Sequence, residues 1–184
     1  MTLRNLVLVG LSAVLCGTLN PALHAADDKH NPPVGLVSAV RNGTQDFRDV
    51  RVAMDAGYVS TGSCVSGPEK GAMGIHYANG GLIGDGQLNA STPELLIYEQ
   101  RNGRLRLVGV EFLVLADGWN ASHPPDVPPV LMGQHFHYVG APNRYRLPAF
   151  YELHVWAWRD NPSGEFVDWN PEVSCAEFDP DAAH

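Results

Sequence analysis

The chain has 184 residues and a formal net charge of −8, from 20 acidic and 12 basic side chains. With no run of lysine or arginine to build a basic patch, the composition argues against nucleic acid and anionic membrane surfaces as partners. Its three cysteines, Cys16, Cys64 and Cys175, are too few and too widely spaced for a thiolate metal knuckle.

Arg4 opens the chain with positive charge, and Leu6 to Cys16 is a short apolar stretch. Asn20-Pro21 breaks that stretch, and Leu23-His24-Ala25 ends on a small residue suited to cleavage. Residues 1–25 therefore read as a secretory signal peptide cut after Ala25. Leu15 stands where a lipoprotein signal carries a small residue, which argues against lipidation at Cys16. No later segment reaches transmembrane length, so the expected location is secreted or periplasmic. In an oxidising compartment Cys64 and Cys175 are expected to pair as one disulfide. The sequons at Asn42, Asn89 and Asn120 matter only in a host that glycosylates them.

Residues 26–34 are polar and Pro-rich and read as a flexible leader. Residues 35–178 read as a single α+β domain, and 179–184 as a frayed tail. A helix is expected from Leu36 to about Ala56, with Val37, Val40, Thr44, Phe47, Val50 and Met54 on one apolar face and Gly57 as its C-cap. Thr61 to Gly74 reads as a Gly/Ser-rich loop carrying Cys64. Met73 to Tyr77 reads as a short strand with His76, and Asn79-Gly80-Gly81 as a turn.

Asn102-Gly103 then signals a hairpin between Glu94–Glu99 and Arg104–Leu115. A two-residue turn with regular pairing sets Tyr98 opposite Leu107, Glu99 opposite Arg106 in a salt bridge, and Glu94 opposite Glu111. Asp117 to Pro129 holds four prolines and reads as loop, with His123 solvated. Val130–Val139 and Phe150–Trp158 read as strands. The expected fold is α+β: a long N-terminal helix packed on an antiparallel sheet, curled as a half-barrel and stapled by one disulfide.

Glu111 lies inside the most apolar run of the chain, Leu107 to Leu115. A carboxylate there must be paired, protonated or bound to a cation. On a strand, residues two apart share a face, so His135 goes with His137 and Glu152 with His154. Glu111, His137 and His154, with His76 and then His135, are the candidate ligands for a divalent transition metal. A mixed nitrogen and oxygen set suits zinc, iron, manganese, nickel or copper without choosing among them. Local partners remain an alternative, with tyrosines at Glu111 or Glu152 at His154. Trp156, Trp158 and Trp169 raise a small organic ligand as a second possible partner, against a plain packing role. Three functional readings follow: a metal-binding protein, a non-catalytic small-ligand-binding module, and a structural envelope protein whose buried polar cluster fixes the fold.

Several phrases resemble a widespread family of uncharacterised secreted bacterial proteins. They are Gly74-Ile75-His76-Tyr77, Pro93-Glu94-Leu95-Leu96-Ile97-Tyr98-Glu99, Gly109-Val110-Glu111-Phe112, Leu153-His154-Val155-Trp156, and Trp169-Asn170-Pro171 through Cys175. The series is more faintly similar to the plant oil-body-associated proteins. The resemblance implies that His76, Glu94, Glu99, Glu111, His137 and His154 lie in recurring motifs. It also places His137 ahead of His135. It implies no activity.

Overall fold

The computed structural model describes residues 35–67, 69–124 and 127–182. The expected signal peptide and leader lie outside the described residues. So do residues 183 and 184 of the tail, whose preceding residues Pro180–Ala182 form a 3-10 turn.

The helices α1 (Leu36–Thr44) and α2 (Val50–Asp55) replace the single helix expected, with a 3-10 turn at Gln45–Arg48 between them. The break has two local causes. The Thr44 hydroxyl donates to the Val40 carbonyl (2.7 Å) and accepts from the Trp158 indole (3.0 Å), which holds the end of α1 against the core. Asp49 adopts extended backbone and its carboxylate accepts from the Arg51 amide, so it starts a new helix as an N-cap. Gly57 ends α2 at φ 93°, the left-handed cap expected. Gly43 is glycine for a packing reason, since a Cβ there would collide with the Ser91 backbone.

The strands are β1 (Val59–Gly67), β2 (Gly71–Ala78), β3 (Leu95–Arg101), β4 (Arg104–Leu115), β5 (Val130–Leu131), β6 (Gln134–His135), β7 (His137–Val139) and β8 (Phe150–Val155). Six form one antiparallel half-barrel sheet in the order β1-β2-β3-β4-β8-β7, while β5 and β6 pair separately. Period-two alternation gives the large sheet two unlike faces. Tyr77, Leu96, Tyr98, Val110, Phe112 and Leu153 meet Leu36, Val40 and Ala53 of the helices in the main core. His76, Glu111, Glu152 and His154 point to the opposite face.

Two segments expected as loops are regular. β1 is an irregular edge strand, rich in serine and glycine, so no apolar alternation marks it. Ala116–Ser122 forms helix α4 despite the prolines that follow it. Asn79 is an N-cap rather than part of a turn: its side chain accepts from the Gly81 and Leu82 amides and starts helix α3 (Gly80–Asp85). The segment 130–139 is not one strand. Met132 and Gly133 turn at positive φ, and the chain then leaves β6 for β7 at the buried Phe136.

The β3–β4 hairpin begins as expected, with Arg101 opposite Arg104, Glu99 opposite Arg106 and Tyr98 opposite Leu107. A bulge then inserts Val108, so Ile97 faces Gly109 and Leu95 faces Glu111. The bulge overturns the expected Glu94–Glu111 pairing, and the expected Glu99–Arg106 salt bridge does not form although the two residues stand opposite each other. The Glu99 carboxylate leaves exposed Arg106 and takes Arg159 (2.8 Å) and the Ser174 amide (3.1 Å) instead. Glu94 does not stand opposite Glu111 across the hairpin; it is buried and accepts from the Leu113 amide at 3.1 Å.

Burial raises the Glu94 carboxyl to about 8. Below about pH 4.5 the group is neutral folded or unfolded, and above it the unfolded chain gains from an ionisation that the folded chain resists. Glu94→Gln keeps the oxygen that Leu113 needs. It should match wild type at pH 4 and exceed it by roughly 3 kcal/mol at pH 7, in urea titrations across that range. A pH-independent offset would contradict this assignment.

The tail returns to the sheet as expected. Asn170 exchanges backbone hydrogen bonds with Ala72, and Gly71 permits the close approach. The Cys64–Cys175 disulfide closes the arrangement with 5.7 Å between Cα atoms.

Candidate metal centre

Three side chains from three strands converge on the sheet's second face. His76 sits on β2, Glu111 on β4 and His154 on β8, where it stands directly opposite Glu111 in register. The curl of the sheet carries His76 over β3, so its Nε2 lies 3.3 Å from Glu111 Oε2. His154 Nε2 lies 3.9 Å from the same oxygen. All three residues are buried, and each offers a donor atom within 4.8 Å of the others.

Asp168 enters from the loop ahead of Asn170. Its Oδ1 stands 3.6 Å from His154 Nδ1 and 3.6 Å from His137 Nδ1. Glu152 lies opposite His137 in register, and its carboxyl neighbours that of Glu111. Burial, then the charge of Glu152, holds the Glu111 carboxyl well above the usual range, which favours its protonated form. Burial and the charge of Asp168 lift Glu152 to about 7.

Burial acts on the imidazoles in the other direction. It lowers His76 to about 4, partly offset by the nearby Gly74 backbone. It lowers His154 to about 3, assisted by His76 and His137. Both rings are neutral, which is the form that binds a metal. The His76 ring presents Nε2 to Glu111.

The unusual feature is what remains unpaired. His154 is 1% exposed, yet among the described residues neither ring nitrogen has a hydrogen-bond partner, and Glu152 Oε2 also has none. A buried polar atom without a partner costs roughly 1–3 kcal/mol. Proteins rarely keep such atoms without a bound group to satisfy them. Beside this cluster a cavity of about 350 Å³ exposes His76 and Glu111, with Leu95, Leu113 and Phe150 as its apolar wall and Arg144 at its edge.

The expected residues divide clearly. His76, Glu111 and His154 come together, and His137 joins them through Asp168. His135 does not: it lies on β6, exposed and paired with Val130 in the small sheet. The turn at Phe136 ends the strand that would have put both histidines on one face. Glu152 was visible only as a neighbour of His154. Asp168 sits in a loop where no periodicity marks it. The tyrosines suggested as partners for Glu111 are engaged elsewhere or exposed. Tyr98 donates to the Phe47 carbonyl (2.5 Å), Tyr77 is on the helix side, and Tyr138 is exposed.

The tryptophans serve packing. Trp156 donates to the Val167 carbonyl at 2.6 Å in a small core with Ile97 and Val108, and Trp158 reaches Thr44 on the other face. Trp169 lies beneath the guanidinium of Arg144. His123 is exposed and stacks on Trp119, away from the cluster.

No protein-family model, curated protein or solved structure matches the chain. No helix among the described residues is long and apolar enough to cross a membrane.

Proposed function

We propose that this protein binds a divalent transition metal through His76 Nε2, Glu111 Oε2 and His154 Nε2, in a secreted or periplasmic setting. The observation that carries the reading is His154, buried with both nitrogens free of hydrogen bonds among the described residues. The spacing supports it. Donors held about 2.1 Å from one tetrahedral ion stand about 3.4 Å apart, and the distances from Glu111 to His76 and His154 are 3.3 and 3.9 Å.

Two imidazoles and a carboxylate suit zinc, iron, manganese, nickel or copper better than calcium or magnesium, which prefer an all-oxygen set. Three protein ligands leave a coordination position free, and the adjoining cavity supplies access to it. Its apolar wall would bury a small organic ligand reaching the ion. A purely structural polar cluster accounts less well for the same residues, because a network kept for the fold satisfies its members. The disulfide and the sequence of residues 1–25 favour an oxidising compartment, as does the resemblance to the secreted bacterial family.

Thermal unfolding of protein purified without a histidine tag and stripped with chelator tests the assignment. An ion that binds only the folded state stabilises it by about 2.7 kcal/mol at a hundredfold excess over Kd. For a domain of this size that is a rise of roughly 5–10 °C. Zinc should produce this rise, EDTA should reverse it, and calcium should not reproduce it. No shift with any of the five transition metals would refute the site.

A further inference from the structure

The site proposed above uses one nitrogen of His154. The other, Nδ1, is as deeply buried and as free of partners, and it lies 3.6 Å from Asp168 Oδ1. Glu152 stands on the same side, 5% exposed, with its Oε2 unpartnered. Glu152, His154 and Asp168 each offer a donor atom within 4.8 Å of the others. His137 lies beyond them, 57% exposed at its side chain, with Nδ1 3.6 Å from the same Asp168 oxygen. An ion at Nε2 alone would leave these atoms as they are: Nδ1 without an acceptor in range, and Glu152 Oε2 bare.

We infer that a second divalent cation binds between Glu152, Asp168 and Nδ1 of His154, with His137 on its solvent side, so that His154 bridges two ions. This rests on the first site being a metal site. With both nitrogens bonded to metal, His154 is an imidazolate. Its remaining N–H bond breaks, the proton leaves to solvent, and the freed electron pair forms the second metal bond. Only ions that bind imidazole strongly drive that loss, which selects copper or zinc.

Charge balance permits a pair. Glu111, Glu152 and Asp168 as carboxylates, together with one imidazolate, neutralise two divalent ions. The two sites differ in exposure. The ligands of the first are all buried, whereas the second includes the partly exposed Asp168 and has the exposed His137 beside it, so the second ion should leave first under mild chelation.

Metal analysis of the full chain, purified without a tag and loaded with zinc alone or copper alone, tests the bridge. Wild type should hold about two equivalents, Asp168→Asn and Glu152→Gln about one each, and His154→Leu none. In the copper form, electron paramagnetic resonance should show a spin-coupled pair in wild type and an isolated copper in Asp168→Asn. Asp168 is half-exposed on a loop, so the unfolding midpoint of the metal-free variant should match wild type; if it does not, Glu152→Gln decides. A single equivalent in wild type, which Asp168→Asn weakens without removing, would overturn the second site. Asp168 would then merely orient His154, and the first site would stand. Wild type that retains no metal overturns both.

Discussion

Replacing His154 with leucine is expected to have two opposite effects. Without metal, the variant should be more stable than wild type by about 1–3 kcal/mol, because it removes two buried nitrogens that lack partners. Leucine is close to imidazole in volume, and the neighbours of the ring include Trp156 at 6.4 Å between centroids, so the site can accept an apolar side chain. With metal, the balance reverses. Loss of the ligand central to the cluster should weaken zinc binding by at least about a hundredfold, more than the usual effect of removing an orienting neighbour. Urea titrations of both proteins with and without zinc measure the two effects together. A variant less stable than wild type in EDTA would mean that His154 serves the fold through contacts other than those described. Unchanged zinc affinity would remove it from the site.

The second large effect is at the disulfide. Cys64 and Cys175 are 111 residues apart, so their bond constrains most of the described chain in the unfolded state. Removing it in a Cys64→Ala/Cys175→Ala double variant should cost about 4–5 kcal/mol on the chain-entropy scale. The denaturant slope should rise as well, since the unfolded chain becomes more expanded. The other ties of the tail, from Asn170 to Ala72 and from Glu99 to Ser174 and Arg159, should preserve the sheet in native conditions. A loss under about 1 kcal/mol would mean that those ties already order the tail in the unfolded ensemble.

Much of the fold could be read from local chemistry. Asn102-Gly103 marked its hairpin because that dipeptide accepts positive φ at both positions. The disulfide followed from having two cysteines once the segment with Cys16 was set aside. Glu111 stood out because a carboxylate in an apolar run needs a reason, and His76 and His154 do join it. What stayed hidden depended on distant context. The bulge at Val108 is invisible to a rule of regular pairing, and it moved Glu94 away from Glu111. Thr44 and Asp49 cut a helix whose apolar period continued across the break, because capping and a tertiary bond to Trp158 outweighed the pattern. His135 and His137 looked like one face until Met132-Gly133 and Phe136 turned the chain. Asp168 belongs to the cluster only because the tail folds back over β2, a relation no local pattern records.

X-ray absorption at the metal edge, on untagged protein loaded with zinc and then dialysed, tests the cluster most directly. The expected spectrum is a nitrogen and oxygen shell at about 2.0–2.1 Å with the outer-shell scattering of imidazole rings. Zinc lost on dialysis, or retained in a shell of water without imidazole, would contradict a metal centre at His76, Glu111 and His154.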